Sequence, residues 1–205
     1  MPVDATNGMY SPCVPNICTV TGKELDLFAL TQEDIDITDI IHALSLINRY
    51  NGHTKFPYTV AQHSVYVAQL EYKHSQNARR ALAALLHDAA EAYIGDIVRP
   101  LKNTLRFVLS GMACNMQPTA EADMLLRWEH KLSHCEERIQ ELIYTKFHCQ
   151  PSNTIKLWDD MVAAAEVQFF FGRNIGVQPA EITIMQVRDS YNMFYHEYRK
   201  LRNLI

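Results

Sequence analysis

The feature that most constrains the fold of this chain is a histidine–aspartate pair, His87-Asp88, within the alanine- and leucine-rich run over residues 81–96. Apolar residues recur through this run at the spacing of one helix face. A continuous helix would place His87 and Glu91, four residues apart, on one face, with Asp88 one step round. Burying charge beside an apolar face is costly unless something compensates it. The simplest compensation is a divalent cation.

The end of the same run supplies another carboxylate. Gly95 predicts the end of the helix, and Pro100 opposes its continuation. Asp96 would then lie at the mouth of the pocket that contains the His-Asp pair.

Two other predicted helices contribute further ligands. Thr59, with Gln62 three residues later, has the pattern of a capping box for a helix that carries His63 one turn in. A later helix carries Asp159 and Asp160 among apolar residues, and one of the two would close the site. Two imidazoles with two carboxylates suit Mn, Co, Fe or Zn better than Ca. Such a set leaves coordination positions open, as catalytic sites do.

The ordered set of His63, His87-Asp88 and a late aspartate resembles the H…HD…D motif of the HD-domain metal-dependent phosphohydrolases. Glu91 and Asp96 repeat the spacing of the acidic pair in the 5'-deoxynucleotidase branch of that family. The resemblance covers about residues 36–166.

This resemblance implies an all-α, HD-domain helical bundle. The spacing of Lys156, Asp159 and Glu166 matches the family better than a pattern anchored at Asp160. The implied metal ligands are therefore His63, His87, Asp88 and Asp159, and the implied catalytic residues are Glu91 and Asp96.

Within the family, the chain is most similar to small viral enzymes that remove phosphate from deoxyadenosine nucleotides, clearing dATP so that diaminopurine replaces adenine in the genome. We therefore expect a 2'-deoxynucleotide substrate, with deoxyadenosine nucleotides first. The bacterial deoxynucleotidases place a Trp after the arginine that contacts the substrate, whereas Tyr50 follows Arg49 here.

Positive and aromatic side chains flank the predicted metal site. The loop over residues 49–55 contains Gly52, which allows a close approach to a ligand. Arg49 can make a forked contact to a phosphate or sugar oxygen, and the Tyr50 ring can pack on a sugar or base. The residues predicted to bind substrate are Arg49, Tyr50, Arg99, Lys102 and Lys156.

The predicted reaction is hydrolysis of a phosphate ester. A divalent transition metal (Co, Mn, Zn or Fe) would activate water and polarise the phosphoryl oxygen, and Mg²⁺ could accompany a triphosphate. Glu91 or Asp96 would orient the water and accept its proton. The cationic side chains would offset charge on the phosphates.

Three alternatives remain open at this stage. The first is a general 5'-deoxynucleotidase acting on deoxynucleoside monophosphates, and the second is a catalytically silent HD module that binds a nucleotide. The third is a phosphodiesterase of cyclic nucleotides, whose dinuclear forms resemble chains with extra histidine ligands. The histidines available for that role are His130, His134 and His148.

Composition predicts one globular domain over residues 1–205, with 48% hydrophobic and 20% charged residues. A net charge of −4 argues against a nonspecific nucleic-acid binder. No apolar run approaches the ~20 residues that span a bilayer, and the N-terminus is not of the signal type. We therefore expect no membrane partner and a cytoplasmic protein, in the host cytoplasm if it is viral. The five cysteines form no CxxC and are expected to be reduced, mostly buried thiols.

Periodicity predicts a short hairpin followed by helices. Strands are expected at Ile17–Thr21 and Glu24–Phe28, around Gly22-Lys23. The apolar stretch Tyr191–Leu204 is a candidate contact helix for a homo-oligomer, although it could equally pack within its own chain. The predicted helices are Thr38–Asn48, Thr59–Tyr72, Asn77–Tyr93, Thr119–Phe147, Thr154–Phe171 and Met185–Leu204.

Overall fold

A computed structural model describes residues 16–27, 29–104, 107, 134–184, 186 and 188–205. The chain is mostly helical and begins with a two-stranded antiparallel hairpin, so the predicted all-α class with a short N-terminal hairpin is confirmed. Strand β1 (Asn16–Cys18) pairs with β2 (Glu24–Asp26), with Ile17 opposite Leu25. Gly22 turns the chain between them with a φ of 85°, a conformation that glycine adopts without strain.

The helices follow in the predicted order, with one interruption. The helix predicted over Asn77–Tyr93 is two helices, separated by a turn at residues 86–90. Of the predicted Thr119–Phe147 helix, residues 119–133 lie outside the described part of the chain. The bounds are α1 Ile37–Leu46, a 3₁₀ turn Arg49–Gly52, α2 Val60–Ser75, α3 Ala78–Leu85, α4 Glu91–Ile94, α5 residues 99–104, α6 residues 134–146, α7 Thr154–Phe171 and α8 Ser190–Arg202.

The central helix of the bundle is α2, which packs against α1, α3, α7 and α8. The predicted capping box is present: the Thr59 side chain accepts from the Gln62 N–H, and the Gln62 side chain accepts from the Thr59 N–H. Most of α2 is buried, including the polar side chains of His63 and Glu71. A buried histidine and a buried glutamate on one central helix need partners from its neighbours.

Helix α8 packs within its own chain. Phe194 and Leu201 are fully buried, and the helix contacts α1, α2 and α3. It begins at Ser190 because the Asp189 side chain caps it through the Asn192 N–H; Met185 lies outside the described residues. This helix is therefore part of the monomer core, and a homo-oligomer stays a prediction.

Within the described ranges, no helix combines the length and apolar character needed to cross a bilayer. Cys18 is an exposed free thiol and Cys135 and Cys149 are partly buried ones, so the expectation of mostly buried thiols is wrong for the described cysteines; Cys13 and Cys114 lie outside those ranges.

Candidate metal centre

The His-Asp pair lies in the turn that interrupts the predicted helix. Helix α3 ends at Leu85, residues 86–90 form a turn, and α4 starts at Glu91. The side-chain amide of Gln140 on α6 bridges the break, donating to the Leu86 carbonyl (2.7 Å) and accepting from the Ala90 N–H (3.2 Å). The expectation that His87 and Glu91 share a face of one continuous helix is therefore wrong. A tertiary contact substitutes for the missing helical hydrogen bonds.

The turn fixes the orientation of the His87 ring. Its Nδ1 lies 2.8 Å from the Ala84 carbonyl, an acceptor, so Nδ1 carries the proton. The opposite nitrogen, Nε2, is buried and makes no hydrogen bond within the described structure. It lies 3.2 Å from Asp88 Oδ2. The lone pair of His87 Nε2 is therefore available to a cation.

His63 is held in the same way by a different acceptor. Its Nδ1 lies 2.7 Å from Glu166 Oε1 on α7, and both side chains are fully buried. Its Nε2 also makes no hydrogen bond among the described residues. A histidine that donates from Nδ1 to a carboxylate and presents Nε2 is the usual arrangement behind a metal ion.

The two imidazoles meet beside two carboxylates. His63, His87 and Asp88 each offer a ligand atom within 4.8 Å of the others. Asp159 Oδ1 lies 3.2 Å from His63 Nε2. Asp160 forms ion pairs with Lys156 and Arg99 instead. The structure thus brings together all four predicted ligands and places Asp159, rather than Asp160, beside His63.

The carboxylates of the site differ in their affinity for protons. Burial would raise the pKa of Asp88, but the neighbouring imidazoles, His87 foremost, hold it at about 2. Burial raises the pKa of Glu91 to about 10, and the charges of Asp88 and Asp96 act in the same direction. Burial also raises the pKa of Asp96. The site therefore combines the anionic Asp88 with Glu91, a carboxyl group that holds a proton near neutral pH, a division typical of acid–base sites.

Glu91 lines the clefts beside the predicted ligand Asp88. Its side chain is buried, and its Oε2 makes no hydrogen bond to the described residues. It lines two adjoining clefts together with Asp88 and Lys102. Burying a carboxyl oxygen without a hydrogen-bond partner costs folding free energy. Such an oxygen is typical of a group that binds a ligand or carries a proton.

The larger cleft has a volume of about 530 Å³ and is lined by two of the four predicted ligands, Asp88 and Asp159. Its lining includes Asp88, Glu91, Asp96 and Asp159 on the acidic side. The predicted substrate residues Arg49, Tyr50, Arg99 and Lys102 line it as well, and its apolar walls are Ile97, Val98, Pro100, Ala163, Val167 and Ile175.

The predicted cationic residues differ in how they are placed. Arg49 is mostly buried and lies against Glu166, while Lys102 Nζ pairs with both oxygens of Glu136 at 2.9 and 3.0 Å. Arg99 is 68% exposed. Lys156 is 62% exposed, bonds to Asp159 at 2.9 Å and does not line the cleft that the described residues form.

Of the additional histidines, the two that the structure describes, His134 and His148, do not join the site. His134 lies at the surface beside Glu137, and His148 is exposed. His130 lies outside the described ranges. Neither of the two described histidines contributes to the His63–His87–Asp88 group.

The sequence analysis used Glu166 only as part of the family spacing, with no role of its own, and did not single out Tyr58 or Gln140. Glu166 accepts from His63, Arg49, Tyr50 and Tyr58, and Gln140 fixes the turn that carries His87 and Asp88. One signal was available: Glu166 follows Asp159 by seven residues, two helical turns, in an otherwise apolar stretch. A charge at that position predicts a buried partner.

Comparisons with known proteins place two bacterial relatives beside this chain. An uncharacterized protein of Rhodobacter capsulatus is 42% identical over 87 residues, which cover 40% of this chain and 44% of that protein. The uncharacterized protein YfdR of Escherichia coli is 43% identical over 89 residues, 43% of this chain and 47% of YfdR. The chain thus spans somewhat less than half the length of the curated relatives it matches. No family model matches the sequence.

Proposed function

We propose that this protein is a divalent-metal-dependent phosphohydrolase that removes phosphate from 2'-deoxynucleotides, with deoxyadenosine nucleotides (dATP, dADP and dAMP) as the preferred class. It would act in the cytoplasm. The observation that carries the proposal is the pair of buried Nε2 atoms on His63 and His87, which make no hydrogen bond among the described residues and each lie 3.2 Å from an aspartate oxygen. Each ring has its Nδ1 engaged, one with a carboxylate and one with a carbonyl.

The donor set fits a borderline transition metal. His63, His87, Asp88 and Asp159 would hold it, because two imidazole nitrogens with carboxylate oxygens suit Mn, Co, Fe or Zn. Such a cation supplies Lewis acidity and lowers the pKa of water. A metal that accepts six ligands, such as Mn, would keep positions for water and substrate beside these four side chains.

The remaining groups of the cleft have separate roles. Arg49 and Lys102 bring positive charge to the cleft and would bind the phosphates. Glu91 and Asp96 exchange protons with the attacking water and the leaving oxygen, because their pKa values are raised by burial. Arg99, at the exposed rim, would contribute least.

The deoxynucleotide assignment rests on the resemblance of the H…HD…D motif and its acidic pair to the 5'-deoxynucleotidase branch. The cleft is compatible with it, because its volume of about 530 Å³ and its apolar walls suit a nucleoside beside the phosphate. The surface placement of His134 and His148 gives the phosphodiesterase alternative no support.

A substrate panel tests the proposal. Deoxy- and ribonucleoside mono-, di- and triphosphates are each incubated with Mn²⁺, Co²⁺, Zn²⁺ or Mg²⁺, and phosphate, pyrophosphate and triphosphate release are measured separately. We expect metal-dependent release from deoxyadenosine nucleotides, faster than from their ribose counterparts. Equal rates on dATP and ATP would remove the deoxynucleotide assignment.

His87→Ala and Asp88→Ala are the controls for the metal. Each should lower both bound metal and activity by more than about 100-fold, since loss of an outer-shell partner alone costs 10–100-fold. Turnover by either variant in chelator-treated buffer would overturn metal dependence.

A further inference from the structure

Glu166 lies between two parts of the site and uses a different oxygen for each. Oε1 accepts from His63 Nδ1 at 2.7 Å and from the Tyr58 hydroxyl at 2.8 Å. Oε2 accepts from the Tyr50 hydroxyl at 2.7 Å and from Arg49 Nε at 3.2 Å. Each oxygen thus carries one tyrosine hydroxyl and one residue of the proposed site.

Both tyrosines are held at their rings as well as at their hydroxyls. The Tyr58 ring packs on Phe170, with centroids 5.1 Å apart, and the Tyr50 ring meets the edge of Phe171 at 5.5 Å. These phenylalanines end helix α7, four and five residues after Glu166. One helix therefore fixes both ends of each tyrosine.

The backbone around Tyr50 adopts an unusual conformation that brings its side chain to Glu166 and Phe171. Tyr50, Asn51 and Gly52 have successive φ values of 58°, 50° and 74°, all left-handed. A tyrosine in that region is strained and persists only where its surroundings hold it. The loop closes on itself through the hydrogen bond from Arg49 N–H to the Tyr58 carbonyl (2.9 Å). The Tyr50 hydroxyl and ring contacts compensate the strain.

We propose that Tyr50 and Tyr58 are positioning residues that divide the two functions of Glu166. The Tyr58 hydroxyl fixes Oε1, and with it the imidazole that presents Nε2 to the metal. The Tyr50 hydroxyl fixes Oε2, and with it the guanidinium that faces the phosphate. This inference rests on the proposed function, because it takes His63 as a metal ligand and Arg49 as a phosphate ligand.

The test removes one hydroxyl at a time and keeps the ring. Mn²⁺ affinity is measured by calorimetry without nucleotide, and inorganic phosphate affinity is measured at saturating Mn²⁺. Tyr58→Phe should weaken Mn²⁺ binding about 10-fold and change phosphate affinity less than about twofold. Tyr50→Phe should weaken phosphate binding about 10-fold and change Mn²⁺ affinity less than about twofold. Its KM for dAMP should rise about 10-fold with little change in kcat.

Tyr195→Phe is the matched control, because it removes a hydroxyl that bonds Arg199 at 3.2 Å on α8, away from the cleft. It should leave both affinities unchanged. Phe171→Leu is a second test for Tyr50: it loosens the ring without removing the hydroxyl, and should weaken phosphate binding by about two- to threefold. Thermal unfolding of each variant confirms that it is folded.

The outcomes separate this inference from the proposed function. Equal shifts of both affinities in the two Tyr→Phe variants, or no shift in either, would overturn the division while leaving phosphohydrolase activity intact. A wild-type protein that binds Mn²⁺ and phosphate but cleaves no nucleotide would overturn the proposed function, and the two variants would still report the division. Failure of the wild type to bind Mn²⁺, Co²⁺ or Zn²⁺ would overturn both.

Discussion

Helices α2 and α7 are joined at two places by a buried glutamate, and only one of the two contacts belongs to the site. At one end Glu166 of α7 reaches His63 of α2. At the other end Glu71 of α2 accepts from Trp158 Nε1 (2.7 Å) and Thr154 Oγ1 (2.6 Å) of α7. The pairing of early α2 with late α7 shows that the helices are antiparallel.

The physical device is the same at both ends. Glu71 and Glu166 are each almost fully buried, and each is stabilised by several donors that include an arginine, Arg80 and Arg49 respectively. The difference lies in the donors. The described donors to Glu71 are Arg80, Trp158 and Thr154, none of which is a predicted ligand, whereas His63 has a second ring nitrogen that lies 3.2 Å from Asp159 Oδ1. Of these two glutamates, only Glu166 therefore holds a side chain of the predicted metal site.

The largest effect is expected at Glu91, which lines the cleft beside Asp88. Glu91→Gln removes a proton carrier and keeps the shape, so kcat should fall by ~10²–10⁴-fold while bound metal stays near the wild-type level. Steady-state kinetics with metal analysis checks this. An unchanged kcat with a raised KM would make Glu91 a binding residue instead.

Next in size is a matched pair on α7. Asp159→Ala should lower metal content and activity by about 100-fold, because its Oδ1 lies 3.2 Å from His63 Nε2. Asp160→Ala, one residue on, removes only ion pairs at the surface and should keep activity within about twofold. Elemental analysis and phosphate release of both variants test the choice. Equal losses of metal and activity in the two variants would show that Asp160 also belongs to the metal site.

The comparison itself is tested by Glu166→Gln and Glu71→Gln. Glu166→Gln should weaken metal binding about 10–100-fold, because the amide no longer holds the His63 imidazole as a carboxylate does. Glu71→Gln should keep metal affinity and kcat/KM within about twofold. Both should lower the free energy of unfolding by about 3 kcal/mol, since each leaves a buried arginine contact weakened.

Calorimetry and urea unfolding of these two variants separate function from stability. Loss of metal by Glu71→Gln would show that the Glu71 contact, like the Glu166 contact, supports the metal site.

The smallest effect is a pH dependence of stability. Burial would raise the pKa of Glu166, but the charges of Arg49 and His63 and its hydrogen bonds lower it from 4.5 to about 2. A depressed folded-state pKa gives stability that is present above pH 4.5 and lost as pH falls towards 2. The contribution is about 3 kcal/mol. Unfolding measured between these pH values should show a shallower acid limb for Glu166→Gln than for the wild type.

Local patterns were enough for the elements whose signals are local. The capping box at Thr59 and Gln62 fixed the start of α2, and α7 has the predicted bounds. Gly95 ends α4 as expected, with a φ of 80°. The predicted ligand types and their order along the chain also came from sequence, and the structure brings those four side chains together.

The remaining features depend on contacts between distant segments. The break at residues 86–90 was missed because alanine and leucine keep helical spacing across it, while the bond that replaces the helix comes from Gln140, about fifty residues later. Sequence spacing does not reveal the direction of a long side chain, so it could not show where the Lys156 ammonium group lies. In the structure this group bonds to Asp159 and Asp160. Tertiary partners decide both cases.

The contact of Gln140 with Leu86 and Ala90 also bears on the order of folding. The turn that orients His87 and Asp88 receives its substitute hydrogen bonds only after α6 has docked against it. His63 and Asp159, on α2 and α7, add further long-range closure. We therefore expect the ligand set to assemble late, near the native state, so that a cation would slow unfolding rather than nucleate the chain.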